Sequence, residues 1–277
     1  MKPKNLKAFI LAAGFGSRLG ELTKETPKVL LPFMNQPMLF HILEQIEKTE
    51  IKEVCINLHY KWEAVKEALK QYKGTLKIYF SIERKKILGT GGGIAAVDRW
   101  RKGSDLLVIN ADIIHTFDLN EIISNHYQNK AYATLALTQK PHPKETKIWC
   151  DKNRVVSFAE QTEKQQTPHG FACIHILSKT LLAKLPKQKS YSIVPIYQEQ
   201  LKQGHQINAY VSENYWIDMG TPEKYLSSLF DFAARIKTKS FLDHPVFKDI
   251  AKSLNGYDKM KEELGEKHPE LCKKFLA

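Results

Sequence analysis

The apolar run Ala8–Ala13 passes directly into a glycine turn, and this junction constrains the fold more than any other part of the sequence. An apolar run of this length before a turn predicts a buried strand. Gly14 and Gly16 permit a sharp turn whose backbone N–H groups are not covered by a Cβ. Because Arg18 and Lys28 add two cations nearby, the end of this first strand predicts a polyphosphate-binding site.

Strand-like and helix-like segments alternate along the first half of the chain. Predicted strands at Lys7–Ala12, Glu53–Leu58 and Asp105–Ile109 are separated by predicted helices, of which Pro37–Lys48 has the clearest apolar face. A further helix is predicted at Gly92–Trp100. This order predicts an α/β fold, a Rossmann-like mixed, mostly parallel sheet sandwiched by helices.

The second half is predicted to be less regular. A short hairpin is expected at residues 147–158, a strand at Ala172–Leu177, and a closing helix at Pro222–Ile236 with Thr221 as its N-cap. We therefore assign residues 1–236 to one domain and the charge-rich residues 237–277 to a helical C-terminal appendage. Two roles for the appendage stay open, a homodimer contact and a cover for the core.

Composition narrows the functional classes. The chain has 277 residues, 43% of them hydrophobic, and a net charge of +12. No stretch approaches the ~20 apolar residues of a membrane span, so we expect a cytoplasmic protein with no membrane partner. The basic residues are interleaved with acidic ones, which favours anionic small molecules over nucleic acid. The four cysteines lie far apart and form no Cys-x-x-Cys pair, which disfavours a zinc site.

A second glycine-rich segment, Leu88–Ile94, lies between a predicted strand and a predicted helix. Each glycine at a helix start costs roughly 0.5–1 kcal/mol relative to alanine, unless another group approaches the backbone closely. Two interpretations follow, a tight turn or a flat ligand resting on bare backbone amides.

Two carboxylates follow apolar segments. Asp112 ends the run Leu107–Asp112, and Asp218 lies within Tyr215–Pro222. Open α/β sheets bind ligands at the carboxyl ends of their strands, although an aspartate after a strand is also common on protein surfaces. Because Thr221 is better placed as the N-cap before Pro222, Asp218 is available for another role.

Together these segments resemble the sugar-1-phosphate nucleotidyltransferases, also called NDP-sugar pyrophosphorylases. The resemblance rests on the first glycine turn with its two cations, on Thr-Gly-Gly-Gly-Ile at 90–94, on Asn-Ala-Asp at 110–112 and on Trp-Ile-Asp-Met-Gly-Thr at 216–221. It covers residues 7–236 and favours the branch of N-acetylmuramate-1-phosphate uridylyltransferases and mannose-1-phosphate guanylyltransferases. It implies the nucleotide-diphospho-sugar transferase fold, with UTP or GTP and a sugar 1-phosphate as partners.

The resemblance also implies a role for each motif. Arg18 would stabilise the β- and γ-phosphates, Lys28 would stabilise the charge at the α-phosphorus, and Asp112 with Asp218 would bind Mg²⁺. The expected nucleotide-binding residues are Leu11, Ala12, Ala13, Gly14, Gly16, Ser17, Gly89, Thr90, Gly91 and Gly92. The expected sugar- or phosphate-binding residues are Asn110, Glu160 and Gly170.

The sequence departs from the family pattern at three places. Gly20-Glu21 stands where a proline is usual, Ala111 replaces a glycine, and Gln161-Thr162 replace the Lys-Pro that usually follows Glu160. Two other functions stay open. One is a catalytically silent relative that senses an NDP-sugar or nucleotide, which the presence of all four charged site residues disfavours. The other is a cytidylyltransferase for a phosphorylated alcohol such as phosphocholine, which would need an aromatic cage.

Overall fold

The strands and helices follow the order predicted from the sequence. The computed structural model describes residues 5–34, 36–141, 146–158 and 168–236. Its strands are β1 Leu6–Leu11, β2 Pro32–Phe33, β3 Gln36–Pro37, β4 Glu53–Leu58, β5 Lys77–Ile82, β6 Asp105–Asn110, β7 Ile113–His115, β8 Ala133–Thr138, β9 Lys147–Asp151, β10 Arg154–Ser157, β11 His169–Leu177, β12 Ile207–Ser212 and β13 Trp216–Asp218. Its α-helices are α1 Met38–Glu47, α2 Trp62–Ala68, α3 Gly89–Ala96, α4 Asp98–Arg101, α5 Leu119–Gln128, α6 Lys179–Ala183, α7 Val194–Lys202 and α8 Pro222–Ile236.

Nine strands form one mixed sheet in the order β5-β4-β1-β6-β11-β8-β12-β10-β9. The first four are parallel to one another, β11 is antiparallel to both β6 and β8, and β8 and β12 are again parallel. The hairpin β9–β10 closes the far edge, as predicted. The parallel pairing that we expected for most of the sheet is thus concentrated in its first half, which carries the two glycine segments and Asp112.

Helices cover both faces of the sheet, as the βαβ order predicted. Side chains of β1 alternate between the two faces: Ala8 and Ile10 pack in the core on one side and Phe9 in the core on the other, all with no exposed surface. The first core contains side chains of α1, α2 and α5. The second contains side chains of α3, α6 and α7. The sheet is therefore buried on both faces, which leaves its edges and strand ends for ligands.

Two local details differ from the prediction. Helix α3 begins at Gly89 and not at Gly92, and a separate short helix α4 follows it. A two-stranded antiparallel ribbon, β7 with β13, was not predicted because each strand has only three residues and neither shows a periodic pattern.

The N-cap of the last helix is confirmed. The Lys224 N–H donates to Thr221 Oγ1 at 3.3 Å, and Pro222 occupies the first helical position. Within the part of the chain that the structure describes, no helix combines the length and apolarity that crossing a membrane requires.

Candidate active site

The carboxyl ends of three parallel strands form the floor of a cleft. Leu11 at the end of β1 lies opposite Asn57 of β4 on one side and Asn110 of β6 on the other. The Ala12 N–H donates to Asn57 Oδ1 at 2.6 Å, and the Ala111 N–H donates to the Leu11 carbonyl at 2.9 Å. These bonds fix the chain where it leaves the sheet.

The cleft has a volume of about 320 Å³ and brings together most of the predicted site residues. The predicted residues that line it are Leu11, Ala12, Ala13, Gly14, Gly16, Ser17, Arg18, Lys28, Gly89, Thr90, Asn110 and Asp112. The residues that line it without having been predicted as contacts are Phe15, Val29, Asn57, Ile87, Ala111 and Gly220.

The two glycines of the first turn are required for different reasons. Gly16 has a φ of +68°, and a Cβ there would lie 3.1 Å from both Lys28 Cβ and Thr23 Cγ2. The fold itself therefore demands glycine at this position. Gly14 is exposed, and a Cβ there would meet no atom within 4 Å. The packing leaves Gly14 open toward the cleft, which is the arrangement that a closely approaching ligand needs.

Lys28 forms a nearly buried ion pair with Asp112. The Lys28 side chain is 9% exposed, and its Nζ donates to Asp112 Oδ2. A buried ammonium group is strongly disfavoured without a partner of opposite charge, so the two side chains hold each other in place. Lys28 lies in a short 3-10 helix, Lys28–Leu30, which positions the stem of its side chain against Gly16.

The ribbon β7–β13 brings the second carboxylate to the first. Asp218 lies opposite Ile113 in the antiparallel register, and the Met219 N–H donates to the Asp112 carbonyl at 2.9 Å. At the other end of the ribbon, the Thr116 N–H donates to the Tyr215 carbonyl at 2.9 Å. The main chain therefore sets the separation of the two aspartates.

Asp218 also lies among cations. Its Oδ2 accepts from Lys224 Nζ at 2.8 Å. A Cβ built on Gly220 would lie 2.8 Å from Asp218 Oδ1 and 3.0 Å from Arg18 Nη2, so the Asp218 carboxylate and the Arg18 guanidinium converge on Gly220. Arg18, Lys28 and Lys224 together exceed the two carboxylates by one positive charge, which suits anionic substrates.

The two aspartates fit a magnesium ion better than a metal that needs a full protein cage. Within residues 5–34, 36–141, 146–158 and 168–236 there is no group of three or more His, Cys, Asp or Glu side chains arranged to hold a metal. Mg²⁺ is usually held by one or two carboxylates, with waters and substrate phosphates supplying its other ligands. Asp112 and Asp218 would hold the ion, and their side chains are 27% and 22% exposed.

The second glycine segment is clamped by a later part of the chain. The N–H groups of Gly91 and Gly92 donate to the Tyr191 carbonyl at 3.0 and 3.4 Å, and the Tyr191 N–H donates to the Leu88 carbonyl at 3.0 Å. The Ile193 N–H donates to Thr90 Oγ1 at 2.9 Å. Hydrogen bonds with residues 191 and 193 thus hold the start of α3 in place.

The contacts with Lys189 and Tyr191, called the Tyr191 clamp below, explain why residues 89, 91 and 92 are glycines. A Cβ on Gly91 would overlap the Tyr191 ring, one on Gly92 would overlap the Lys189 carbonyl, and one on Gly89 would lie 2.7 Å from the Tyr191 carbonyl. Gly89 and Thr90 line the cleft, whereas the amides of Gly91 and Gly92 are engaged by Tyr191. A nucleotide contact from Gly91 and Gly92 stays a prediction.

Comparison with known proteins identifies the family. Residues 7–235 match the family described as Nucleotidyl transferase. This chain is a member of the nucleotidyl transferase family. It is 31% identical over 243 residues to a mannose-1-phosphate guanylyltransferase of Mycobacterium tuberculosis, a match that covers 85% of this chain and 67% of that protein. It is also 31% identical over 226 residues to a D-glycero-alpha-D-manno-heptose 1-phosphate guanylyltransferase of Campylobacter jejuni, which covers 82% of this chain and all of that protein.

Solved structures of similar proteins show the same fold. HddC from Yersinia pseudotuberculosis, solved in complex with GMP-PN, has a TM-score of 0.68 and 25% identity, over 82% of this chain and 99% of that chain. A putative glucose-1-phosphate thymidylyltransferase from Bacillus anthracis, at 20% identity, has a TM-score of 0.71 over 82% and 95% of the two chains. The nucleotide-diphospho-sugar transferase fold predicted from the resemblance is confirmed.

In this nucleotidyl transferase, Asn57 is the most informative site residue that the motifs missed. Its side chain is buried, accepts from the Ala12 N–H, and donates to Glu83 Oε1 at 2.7 Å, while Glu83 Oε2 accepts from the Leu88 N–H at 2.7 Å. Asn57 and Glu83 therefore tie the first glycine turn to the second. The sequence signal that points to it is a polar residue one position before the end of the buried strand Glu53–Leu58.

Phe15 is the second residue that the sequence motifs did not include. It lies between the two glycines of the first turn, is 52% exposed, and contacts the His59 ring edge-to-face at a centroid distance of 5.0 Å. An exposed aromatic side chain at the mouth of the cleft offers a surface for a nucleobase or ribose.

Of the predicted sugar-site residues that the structure describes, Gly170 does not line the cleft. Glu160 lies outside the described residues. Gly170 is buried in β11, where it pairs with Thr138 of β8 and Lys147 of β9. The roles expected for both stay predictions, and the helical appendage at 237–277 also lies outside the described residues.

Proposed function

We propose that this nucleotidyl transferase joins GTP to a sugar 1-phosphate of mannose or manno-heptose type, giving a GDP-sugar and pyrophosphate. The proposal rests above all on one observation: two aspartates, joined through the main chain of β7–β13, lie beside Arg18 and Lys28 at the carboxyl edge of the sheet. The names of the mycobacterial and Campylobacter relatives favour GTP over UTP and the two sugars named. The GMP-PN in complex with the Yersinia protein supports the same choice of nucleotide.

The chemistry needs no general base. An oxygen of the sugar 1-phosphate, already anionic, forms a bond to the α-phosphorus of GTP, and the bond from that phosphorus to the β-phosphate oxygen breaks. Pyrophosphate carries away the electron pair. Catalysis is then positioning and charge neutralisation, which matches a cleft whose described lining residues include no histidine or cysteine.

Each charged residue has a distinct task in this proposal. Lys28, held against Asp112, stabilises the charge that develops at the α-phosphorus, and Arg18 neutralises the leaving β- and γ-phosphates. Asp112 and Asp218 would hold a magnesium ion, which when bound would supply Lewis-acid neutralisation of the phosphate oxygens. Gly14 leaves space for the ligand to approach the main chain.

The test is pyrophosphate release from each of the four NTPs, combined with phosphocholine or with the 1-phosphates of mannose, a manno-heptose, glucose, N-acetylglucosamine and N-acetylmuramate. Reactions contain MgCl₂ or EDTA, and Asp112→Asn is the inactive control. We expect release with GTP and one of the first two sugars, and none in EDTA. Release with CTP and a phosphorylated alcohol would replace the proposal by the cytidylyltransferase alternative. Tight GDP-sugar binding without release would support the sensor. Chromatography of the same sample tests the expected homodimer.

A further inference from the structure

Lys224 is a positively charged residue next to Asp218 in the candidate active site, and it is not part of the sequence motifs. Its Nζ donates to Asp218 Oδ2 at 2.8 Å, and its side chain is 31% exposed. It therefore neutralises one of the two carboxylates expected to hold the metal, as Lys28 does for the other.

The position of Lys224 in its helix is electrostatically unfavourable. It is the third residue of the fifteen-residue helix α8, and the first turn of a helix carries the positive end of the macrodipole. A cation there is opposed by the dipole, whereas acidic side chains such as Glu223 are favoured. The ion pair with Asp218 offsets this unfavourable interaction. If the negative charge of Asp218 is neutralised, Lys224 is expected to bind another anion.

Lys224 faces a second space beside the first cleft. This second pocket has a volume of about 590 Å³ and is lined by the charged side chains of Lys224, Lys140, Asp218 and Glu213, by polar side chains near the ends of β8 and β12, and by Trp216 and Ile217 of β13. Gly220, two residues after Asp218, lines the first cleft. Asp218 thus lies at the boundary between the two spaces, with Arg18 on one side and Lys224 on the other.

We propose that Lys224 binds the phosphate of the sugar 1-phosphate. When a divalent cation takes the charge of Asp218, the Lys224 ammonium group is released from its ion pair and binds an incoming phosphate oxygen. Arg18 and Lys28 already line the first cleft next to the glycine turn, so Lys224 serves the acceptor and not the NTP. This inference rests on the proposed function, because it needs a sugar 1-phosphate as the second substrate.

The first test compares Lys224→Met with the wild type in steady-state kinetics. We expect the KM for the sugar 1-phosphate to rise about 10-fold, the effect of one lost charge-assisted hydrogen bond. The KM for GTP should change less than about 2-fold. Lys224→Arg keeps the charge and should recover part of the loss. The matched control is Lys70→Met, which breaks an exposed lysine–glutamate pair of 2.6 Å with Glu67, remote from both pockets.

The second test measures Mn²⁺ binding by electron paramagnetic resonance without any substrate. Because Lys224 competes with the metal for Asp218 Oδ2, Lys224→Met should bind Mn²⁺ several-fold more tightly than the wild type. Asp218→Asn should bind it more weakly. An unchanged affinity in Lys224→Met would overturn the exchange of partners at Asp218.

The outcomes separate this inference from the function on which it rests. An active wild type whose Lys224→Met variant keeps the KM for the sugar 1-phosphate overturns the inference alone. Equal increases in both KM values also overturn it, since they indicate a general change in the site. A wild type that turns over no NTP and sugar pair overturns the proposed function and this inference with it. Thermal unfolding of each variant verifies that the fold is retained.

Discussion

The backbone N–H of Met219 donates to the carbonyl of Asp112 at 2.9 Å, and this bond joins two acidic motifs that are far apart in sequence. Asp218 is the last residue of β13, and Asp112 immediately precedes β7, its partner strand in the ribbon. Main-chain pairing therefore fixes the backbone positions of the two aspartates relative to each other, and their ion pairs with Lys28 and Lys224 orient the carboxylates.

Replacing Asp112 with asparagine should lower turnover by at least about 10³-fold, because it removes a proposed metal ligand and the charged partner of Lys28. The fold should persist with a loss of about 1–2 kcal/mol, since the amide oxygen can still accept from Lys28. Pyrophosphate release and urea unfolding measure the two effects. Near-normal turnover would contradict the metal assignment.

Lys28→Met in the Asp112→Asn background provides the control for that ion pair. With both charges removed, no unpaired buried ammonium remains, so the double variant should regain part of the lost stability without regaining activity. A double variant less stable than either single variant would show that packing, and not charge, holds this part of the cleft.

Alanine substitution at Gly14 should affect NTP binding, whereas alanine substitution at Gly16 should affect stability. Gly14→Ala meets no neighbour within 4 Å, so stability should be unchanged while the KM for the NTP rises several-fold. Gly16→Ala places a Cβ at a φ of +68° and crowds Lys28, so the free energy of unfolding should fall by about 1–2 kcal/mol. Thermal unfolding and NTP kinetics distinguish them. A destabilised Gly14→Ala would argue that this glycine serves the fold.

The clamp on α3 predicts a rescue experiment. Gly91→Ala should destabilise the protein by about 1–3 kcal/mol, because its Cβ overlaps the Tyr191 ring. Tyr191→Ala removes that ring but keeps the carbonyl that accepts from Gly91, so the double variant should recover most of the loss. Gly92→Ala conflicts with the Lys189 backbone and should not be rescued. Chemical unfolding of the four variants is the measurement.

Three buried histidines make stability depend on pH. Burial lowers the pKa of His41 and His126 to about 4 and that of His175 to about 3, from 6.5. Below pH 6.5 these histidines are protonated in the unfolded chain, whereas in the folded protein they stay neutral until the pH approaches their lowered pKa values. The free energy of unfolding is therefore fully retained above pH 6.5 and falls as the pH drops toward those values. Each histidine should cost about 1.4 kcal/mol per pH unit within that window.

The measurement is urea unfolding at pH 7.5 and 5.5. His126→Gln replaces one of the three groups and should reduce the difference between the two pH values by about a third. Equal stability of the wild type at both pH values would show that these side chains are protonated in the folded state.

Much of the fold follows from the sequence, because buried strands such as β1 and β6 contain continuous apolar runs and the order of the segments indicates a βαβ sheet. The first glycine turn and Asp112 were predicted at strand ends because parallel strands place ligands there. The ribbon β7–β13 could not be predicted, since a three-residue strand carries no periodicity. The Tyr191 clamp could not be predicted either. A main-chain contact between distant segments restricts the residue types only at the glycines, and glycines alone do not indicate which segment they contact.

The ribbon between Asp112 and Asp218 also has a consequence for synthesis on the ribosome. β7 emerges about 100 residues before β13, a delay of roughly 5–20 s at ordinary translation rates. Throughout that interval the nascent chain can pair Lys28 with Asp112 but has no second carboxylate. With the roles proposed for Asp112 and Asp218, catalytic competence is among the last properties that the growing domain acquires, and a chain terminated before β13 is expected to be inactive.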